Sequence, residues 1–318
     1  MQSIRKIVVL GTGGTIAGQG RPQGGAVGYQ AGQIAVEQLL RPLLQESTQE
    51  KVVFETEQVA QLDSKDMDIA TWQALAAACQ KWLELDEVVG LVITHGTDTL
   101  EETAWFLQLV LQPQKPVVLT CAMRPATALS ADGPANLRDA VVCALDGMRG
   151  VWVVTAGEVH SAQHVRKVHP YRVHAFSSGA HGPAAWVEEG CLRWVSGSLG
   201  RSEAEAFQPS IWRSPESSWP WVEIVTSTAA CRATAVDALV AAGVRGIVVA
   251  GTGNGSIHHS LMQALHRAMA QGVWVWRTTR CEQGQIVLAA GERDAGVTEL
   301  SPVKARISMM LALLQESS

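Results

Sequence analysis

No run of 18 consecutive apolar residues occurs in the 318-residue chain, so no membrane-spanning helix is expected. An excess of positive charge is missing as well: 25 Lys plus Arg stand against 30 Asp plus Glu, a formal net charge of −5, with no long basic block. That balance argues against nucleic acid or an anionic membrane surface as a main partner. No C-x-x-C pair is present. Cys79, Cys121, Cys143, Cys191, Cys231 and Cys281 are widely spaced, most of them within apolar patterns, which favours buried free thiols over disulfides or metal. The opening stretch MQSIRKIVVLGTGG has neither a hydrophobic segment of secretory length nor a small-residue cleavage site, so a cytoplasmic location is expected.

Several chemistry-bearing motifs are absent too. G-x-G-x-x-G begun at Gly11 requires glycine where Ile16 stands, and the turn at 251–256 fails likewise at Ser256, so neither is a dinucleotide fingerprint. Nothing matches G-x-x-x-x-G-K-[ST]. His160 and His164 are four apart but lack the glutamate of H-E-x-x-H, and carboxylates nearby are few; no metal and no cofactor are expected. Without a G-x-S-x-G elbow, a serine site of the common hydrolase type is disfavoured.

What is present is organised around VVGLVITHGTDTLEETAWFLQLVL at 88–111. Residues 88–94 form a β-branched apolar run, the signature of a strand buried on both faces. The polar knot His95-Gly96-Thr97-Asp98-Thr99 follows, then an acidic first turn, Glu101-Glu102, and a long apolar segment of helix formers. Asp98 with Glu101, or Thr99 with Glu102, has capping-box spacing. The knot therefore lies where a strand hands over to a helix, the edge at which parallel sheets bind ligands.

The same alternation runs through the chain. Strands are expected at 4–10, 51–60, 116–121 and 151–156, with helices at 34–44 and 69–85 and from Pro134. The glycine-rich stretch 11–20, continuing to Gly32, reads as turn and mobile loop, and 157–194 as irregular. After an aperiodic linker, strands at 222–225, 246–250 and 273–277 alternate with helices at about 230–242, up to 270, and from Pro302. The expectation is two α/β domains with mainly parallel sheets: residues 1–194 and 220–318, joined by 195–219.

Four polar strand-end turns remain: GTGGT at 11–15, LDSKDM at 62–67, HGTDT at 95–99, and AMRP with SADGP at 122–134. They centre the chemistry on threonine. A threonine hydroxyl attacks poorly until a base or cation eases removal of its proton. Thr15, Thr97, Asp98 and Lys167 make a coherent set, with a neutral lysine taking the proton and the carboxylate orienting it. His95 reads as a satisfied structural histidine, Arg124 and Asp132 as supports of their turn, and His258 and His259 as an exposed helix start.

GTGGTIAG at 11–18 and ITHGTDTLEETAWFL at 93–107 resemble the two signature stretches of the bacterial-type L-asparaginase family, and AMRP, SADGPANL, GTGNG and the closing PVKAR resemble further blocks. The resemblance covers nearly the whole chain. It implies an asparaginase-like fold and hydrolysis of the L-asparagine side-chain amide, through an acyl-enzyme, to aspartate and ammonia. By position, Thr15 is the first catalytic threonine, with Tyr29 beside it. Thr97, Asp98 and Lys167 form the second group. The resemblance further implies that Ser64 grips the substrate α-carboxylate, with Asp98, Gly96 and Ala122 also on the substrate side. Asn254 reaches a neighbouring subunit's site, which implies a homodimer or homotetramer. Two departures stand out: Lys65 follows Ser64 where relatives carry a neutral or acidic residue, and only Glu282 offers itself as an intersubunit glutamate. An ammonia-releasing amidotransferase subunit and a non-catalytic binding protein of the same fold are the competing readings.

Overall fold

The computed structural model describes residues 5–20, 28–46, 52–195, 207–208, 210–289 and 296–317. The chain divides into two compact units, residues 1–206 and 207–318. In the first, β1 (Arg5–Gly13), β2 (Gln19–Gly20), β3 (Tyr29–Gln30) and α1 (Val36–Glu46) are followed by β4 (Val52–Leu62), α2 (Ile69–Leu83), β5 (Val88–Thr94) and α3 (Leu100–Leu111). Then come β6 (Pro116–Thr120), α4 (Gly133–Leu145), β7 (Gly150–Thr155) and five short strands: β8 (Glu158–Ser161), β9 (Arg166–Lys167), β10 (Phe176–Ser177), β11 (Ala185–Glu188) and β12 (Cys191–Trp194).

The main sheet has the order β12-β11-β8-β7-β6-β5-β1-β4. Strands β4, β1, β5, β6 and β7 are parallel, and β8, β11 and β12 add antiparallel strands at one side. From β1 the chain goes first to one neighbour, β4, and then crosses to the other, β5. That reversal is a topological switch point, where two strand-end turns diverge and leave a crevice. Gly11 pairs with Thr94 at the end of the β1–β5 ladder, and Thr94 with Thr120 at the end of β5–β6, so the polar turns lie side by side.

Burial explains the central strands. Ile7, Val9, Val92, Val118 and Val154 pack against Leu137, Ala140 and Val141 of α4. The one glycine in the β5 run has a packing reason: a Cβ on Gly90 would lie 2.6 Å from the Ala144 carbonyl oxygen of α4. Elsewhere in the core, Trp72 of α2 stacks on Phe106 of α3 at 4.9 Å and donates its indole N–H to Thr103 Oγ1 at 2.9 Å.

Three expectations change. β1 continues through the glycines to Gly13, because the ladder to β4 goes on past Gly11 after a bulge and pairs Gly13 with Leu62. The stretch 157–194 is only partly irregular: it carries five strands two to four residues long, too short for alternation to register. Of the cysteines, Cys79, Cys121 and Cys143 are buried, whereas Cys191 and Cys281 are exposed and Cys231 is half-buried; none of the six is in a disulfide. Burial pushes the three core thiols far above the ordinary range.

The second unit holds β13 (Val222–Thr226), α5 (Thr234–Ala241), β14 (Gly246–Gly251), α6 (His259–Ala270), β15 (Trp274–Thr279) and α7 (Pro302–Glu316). Its three strands are parallel in chain order. Residues 196–206 and 209 of the expected linker, and 21–27 of the expected mobile loop, lie outside the described residues. Ile211 and Trp212, also read as linker, are buried in the second unit. Among the described residues no helix is long and apolar enough to cross a membrane.

Replacing Gly90 tests the closeness of α4 to β5. Gly90→Val should cost about 1–3 kcal/mol by overpacking, with about 2–4 °C of Tm lost per kcal/mol. A thermal melt unchanged from wild type would contradict the contact.

Candidate active site

Thr15 opens a single 3-10 turn, Thr15–Ala17, directly after β1. It is buried, and its Oγ1 lies 2.7 Å from the Tyr29 hydroxyl on β3. Below it, Ile16 and Ala17 pack with Ala122, the second residue after β6, in a small apolar cluster. Gly14, at φ 76°, carries the turn past β5. A Cβ there would fall 2.3 Å from Gly96 Cα, so only glycine permits this approach.

The second group gathers at the end of β5. Lys167, from the two-residue strand β9, places Nζ 2.7 Å from Thr97 Oγ1 and 2.6 Å from Asp98 Oδ1. Lys167 and Thr97 are 70 residues apart in the chain, and β9 is held by its pairing with β10. Ser64, buried after β4, accepts from the Asp98 N–H at 3.2 Å through Oγ, and its carbonyl accepts from Thr99 Oγ1 at 2.7 Å. Gly96 is pressed against Ser64: a Cβ on Gly96 would meet Ser64 Oγ at 2.4 Å. Asp98 is about half exposed (53%), so the Lys167–Asp98 pair contributes about 0–1 kcal/mol to stability at most. Its value is positional.

The structure thus brings together Thr15 with Tyr29, and Ser64, Gly96, Thr97 and Asp98 with Lys167; the Gly14–Gly96 contact joins the two sets. Asn254 belongs to the second unit. Its Nδ2 donates to the Val287 carbonyl and its Oδ1 accepts from the Val287 N–H, both at 2.8 Å, so its amide holds its own loop rather than standing free. Lys65 is exposed and ion-paired with Asp66 and, at 3.9 Å, with Asp63. Asp132 takes the Met123 and Arg124 N–H groups at 2.9 and 3.0 Å and so supports its turn. His258 caps α6 through Nδ1, accepting from the Ser260 N–H at 3.2 Å.

Sequence reasoning missed two residues and misread a third. Thr99 and Glu101 were read as capping residues, yet Thr99 is an N-cap without a side-chain cap bond. Its hydroxyl goes to Ser64 instead, while Glu101 Oε1 accepts the Lys167 N–H at 3.2 Å. His95 is only half satisfied: Nδ1 lies 2.7 Å from the Gly96 carbonyl oxygen, and Nε2 has no partner. Among the described residues no group of three or more His, Cys, Asp or Glu is arranged to hold a metal.

The fold and these turns define a two-unit α/β protein with a threonine-lined site at its switch point. Residues 6–198 match the family profile described as "Asparaginase, N-terminal", and residues 221–318 the one described as "Glutaminase/Asparaginase C-terminal domain". The chain belongs to the asparaginase family. It is 37% identical to a glutaminase-asparaginase of Pseudomonas fluorescens biotype A, over 98% of this chain and 86% of that one. To L-asparaginase 2 of Escherichia coli it is 36% identical, over 98% and 90%. The crystal structure of a probable cytoplasmic L-asparaginase from Campylobacter jejuni matches with a TM-score of 0.88 at 36% identity, covering 99% and 96% of the two chains.

Burial lowers the His95 pKa from its ordinary 6.5 to about 4. Below 6.5 the unfolded chain binds a proton that the native chain refuses, so stability present above pH 6.5 is lost as pH falls toward 4. That gap corresponds to about 3 kcal/mol. Urea unfolding at pH 7 and pH 4.5 should therefore show a smaller acid loss for His95→Asn than for wild type; equal losses would contradict it.

Proposed function

We propose that this protein hydrolyses the side-chain amide of L-asparagine to L-aspartate and ammonia through a threonyl ester. The observation that carries the mechanism is the Lys167 amine bridging Thr97 Oγ1 at 2.7 Å and Asp98 Oδ1 at 2.6 Å. That geometry suits a hydroxyl whose proton is handled by a lysine oriented by a carboxylate. The relatives named L-asparaginase over nearly the full chain supply the substrate class.

In this reading Thr15 Oγ1 attacks the amide carbon. Its proton passes by way of the Tyr29 hydroxyl to the departing nitrogen, the C–N bond breaks, and ammonia leaves. Water, activated at Thr97 and Lys167, then adds to the ester carbon; the proton returns to Thr15 Oγ1 and aspartate is released. Ser64 holds the α-carboxylate. Asp98 Oδ2, which takes no hydrogen bond among the described residues, receives the α-ammonium. Backbone donors near Gly96 and Ala122 face the polarised carbonyl oxygen. A cytoplasmic location and a homodimer or homotetramer complete the reading. Asn254 contributes to a neighbouring chain's site by fixing the loop that carries Val287.

A second reading, glutaminase activity at the same site, is supported by the relative named glutaminase-asparaginase. Ammonia release measured with asparagine and with glutamine, in the absence of any partner, separates both from an amidotransferase subunit and from a binding protein.

Thr15→Ala and Thr97→Ala should each lower turnover about 10³-fold or more while leaving the fold intact. Near-normal turnover in either variant removes that threonine from the mechanism. An acyl adduct trapped and mapped by mass spectrometry should fall on Thr15.

Shared sites give a further test. Mixing Thr15→Ala with Asn254→Ala under subunit exchange should rebuild one site with both residues intact in each mixed dimer. Activity should then rise well above that of either parent. No recovery, with exchange verified by native mass spectrometry, means each chain builds its own site.

A further inference from the structure

Lys167 reaches Thr97 and Asp98 from a support that is weak by itself. β9 and β10 form a separate two-stranded ribbon, in which Lys167 pairs with Phe176 and Arg166 with Ser177. Two strands of two residues do not hold their place unaided. The Lys167 N–H is tied to Glu101 Oε1 at 3.2 Å, and Phe176 is buried, which anchors the ribbon at one point. Apolar burial has no direction. Such an anchor leaves the ribbon free to turn about it.

That turn is blocked from β8. Glu158 opens this strand and pairs with Thr155 of β7 on one side and Trp186 of β11 on the other. Its backbone therefore belongs to the main sheet. Its carboxylate oxygen Oε2 lies 2.9 Å from His174 Nε2 and 3.4 Å from His160 Nε2. His174 lies two residues before β10. His160, 1% exposed, turns its other ring nitrogen, Nδ1, to Ser178 Oγ at 3.0 Å. Ser178 is buried and directly follows β10. One carboxylate thus reaches both ends of β10, the first directly and the second through a buried ring. The His174 side chain is largely exposed, so its contact with Glu158 is screened and adds little to stability. What it fixes is orientation.

We propose that Glu158 is a positioning residue: by bridging His174 and His160 it holds the ribbon so that the Lys167 amine meets Thr97. This rests on Lys167 serving the acyl-transfer centre. Thr15, Ser64 and Asp98 lie after β1, β4 and β5, outside the ribbon. Loss of the bridge therefore bears on turnover and not on substrate binding.

Three replacements at Glu158 and one at Lys167 test it. Glu158→Ala should lower kcat about tenfold, well within what a misplaced catalytic group can cost. Its KM for asparagine, Kd for aspartate and melting temperature should stay near wild type. Glu158→Gln keeps an acceptor at the same reach and should retain kcat within about threefold. Glu158→Asp keeps the charge but withdraws it by one methylene, and should fall as far as Glu158→Ala. The deciding measurement uses Lys167→Met, assayed at high enzyme concentration. A residue that acts through Lys167 has nothing left to position there, so adding Glu158→Ala should cost nothing further. A full tenfold loss on top of Lys167→Met overturns the proposal, as does wild-type turnover in Glu158→Ala. Equal losses in Glu158→Gln and Glu158→Ala overturn it too, because reach and acceptor would then not be what matters. So does a fall in kcat that comes with a raised KM and a lowered melting temperature, the mark of a merely structural role. If Lys167→Met itself keeps turnover, the reading of Lys167 fails, and Glu158 falls with it for that separate reason.

Discussion

The site depends on one steric constraint, the backbone contact between the turn after β1 and the turn after β5. Those two strands are neighbours with the crossover direction reversing between them, so their outgoing turns should diverge. Here they touch. Gly14 and Gly96 lie so close that a methyl on the first would sit 2.3 Å from the second. The turns that carry Thr15 and Thr97 are thereby held together by backbone contact rather than by side-chain packing.

Charge is arranged on top of that scaffold with little bearing on stability. Asp98 is half exposed and Lys167 only partly buried, so their attraction is screened. An ion pair of this kind orients a group; it does not hold a fold together. The fold rests instead on the largely buried apolar strands β1, β5 and β6 and on α4, which lies directly against Gly90. Stability and the polar turns thus draw on different residues, and the candidate site sits at the strand ends where the apolar core stops.

How much of this the sequence disclosed depends on the range of each interaction. The β5 run, its polar knot and the helix behind it were legible, because buried parallel strands and first-turn acids leave local patterns. Thr15 and Thr97 stand in short polar blocks that are just as visible, although the roles expected of them come only from the resemblance. The strands between 158 and 194 were not legible, since two- to four-residue strands carry no period. Lys167 could be assigned only by resemblance. Nothing local marks a lysine whose partners are about 70 residues away. The pairing of Asn254 with Val287 is invisible for the same reason, because it joins residues 33 apart across a loop. His95 was seen as structural, and the polar atom left without a partner on its ring appears only in three dimensions.

The first turn of α3 shows how local preference yields to the site. Its sequence offers two capping boxes, and a side-chain cap is worth about 1 kcal/mol to a helix. Neither is made. Asp98 turns to Lys167, Thr99 gives its hydroxyl to the Ser64 carbonyl, and Glu101 accepts the Lys167 backbone N–H. The helix start is thus tied to the turn after β4 and to β9. Two forces make this tolerable. The helix dipole still favours the carboxylates of Asp98 and Glu101 near its N-terminus wherever they point, and α3 is anchored by a nearly continuous buried face from Leu100 to Val110. A helix that secure does not need its caps. The side chains able to supply them are free to bind the loops around it, and local rules fail here because this is where the site is built.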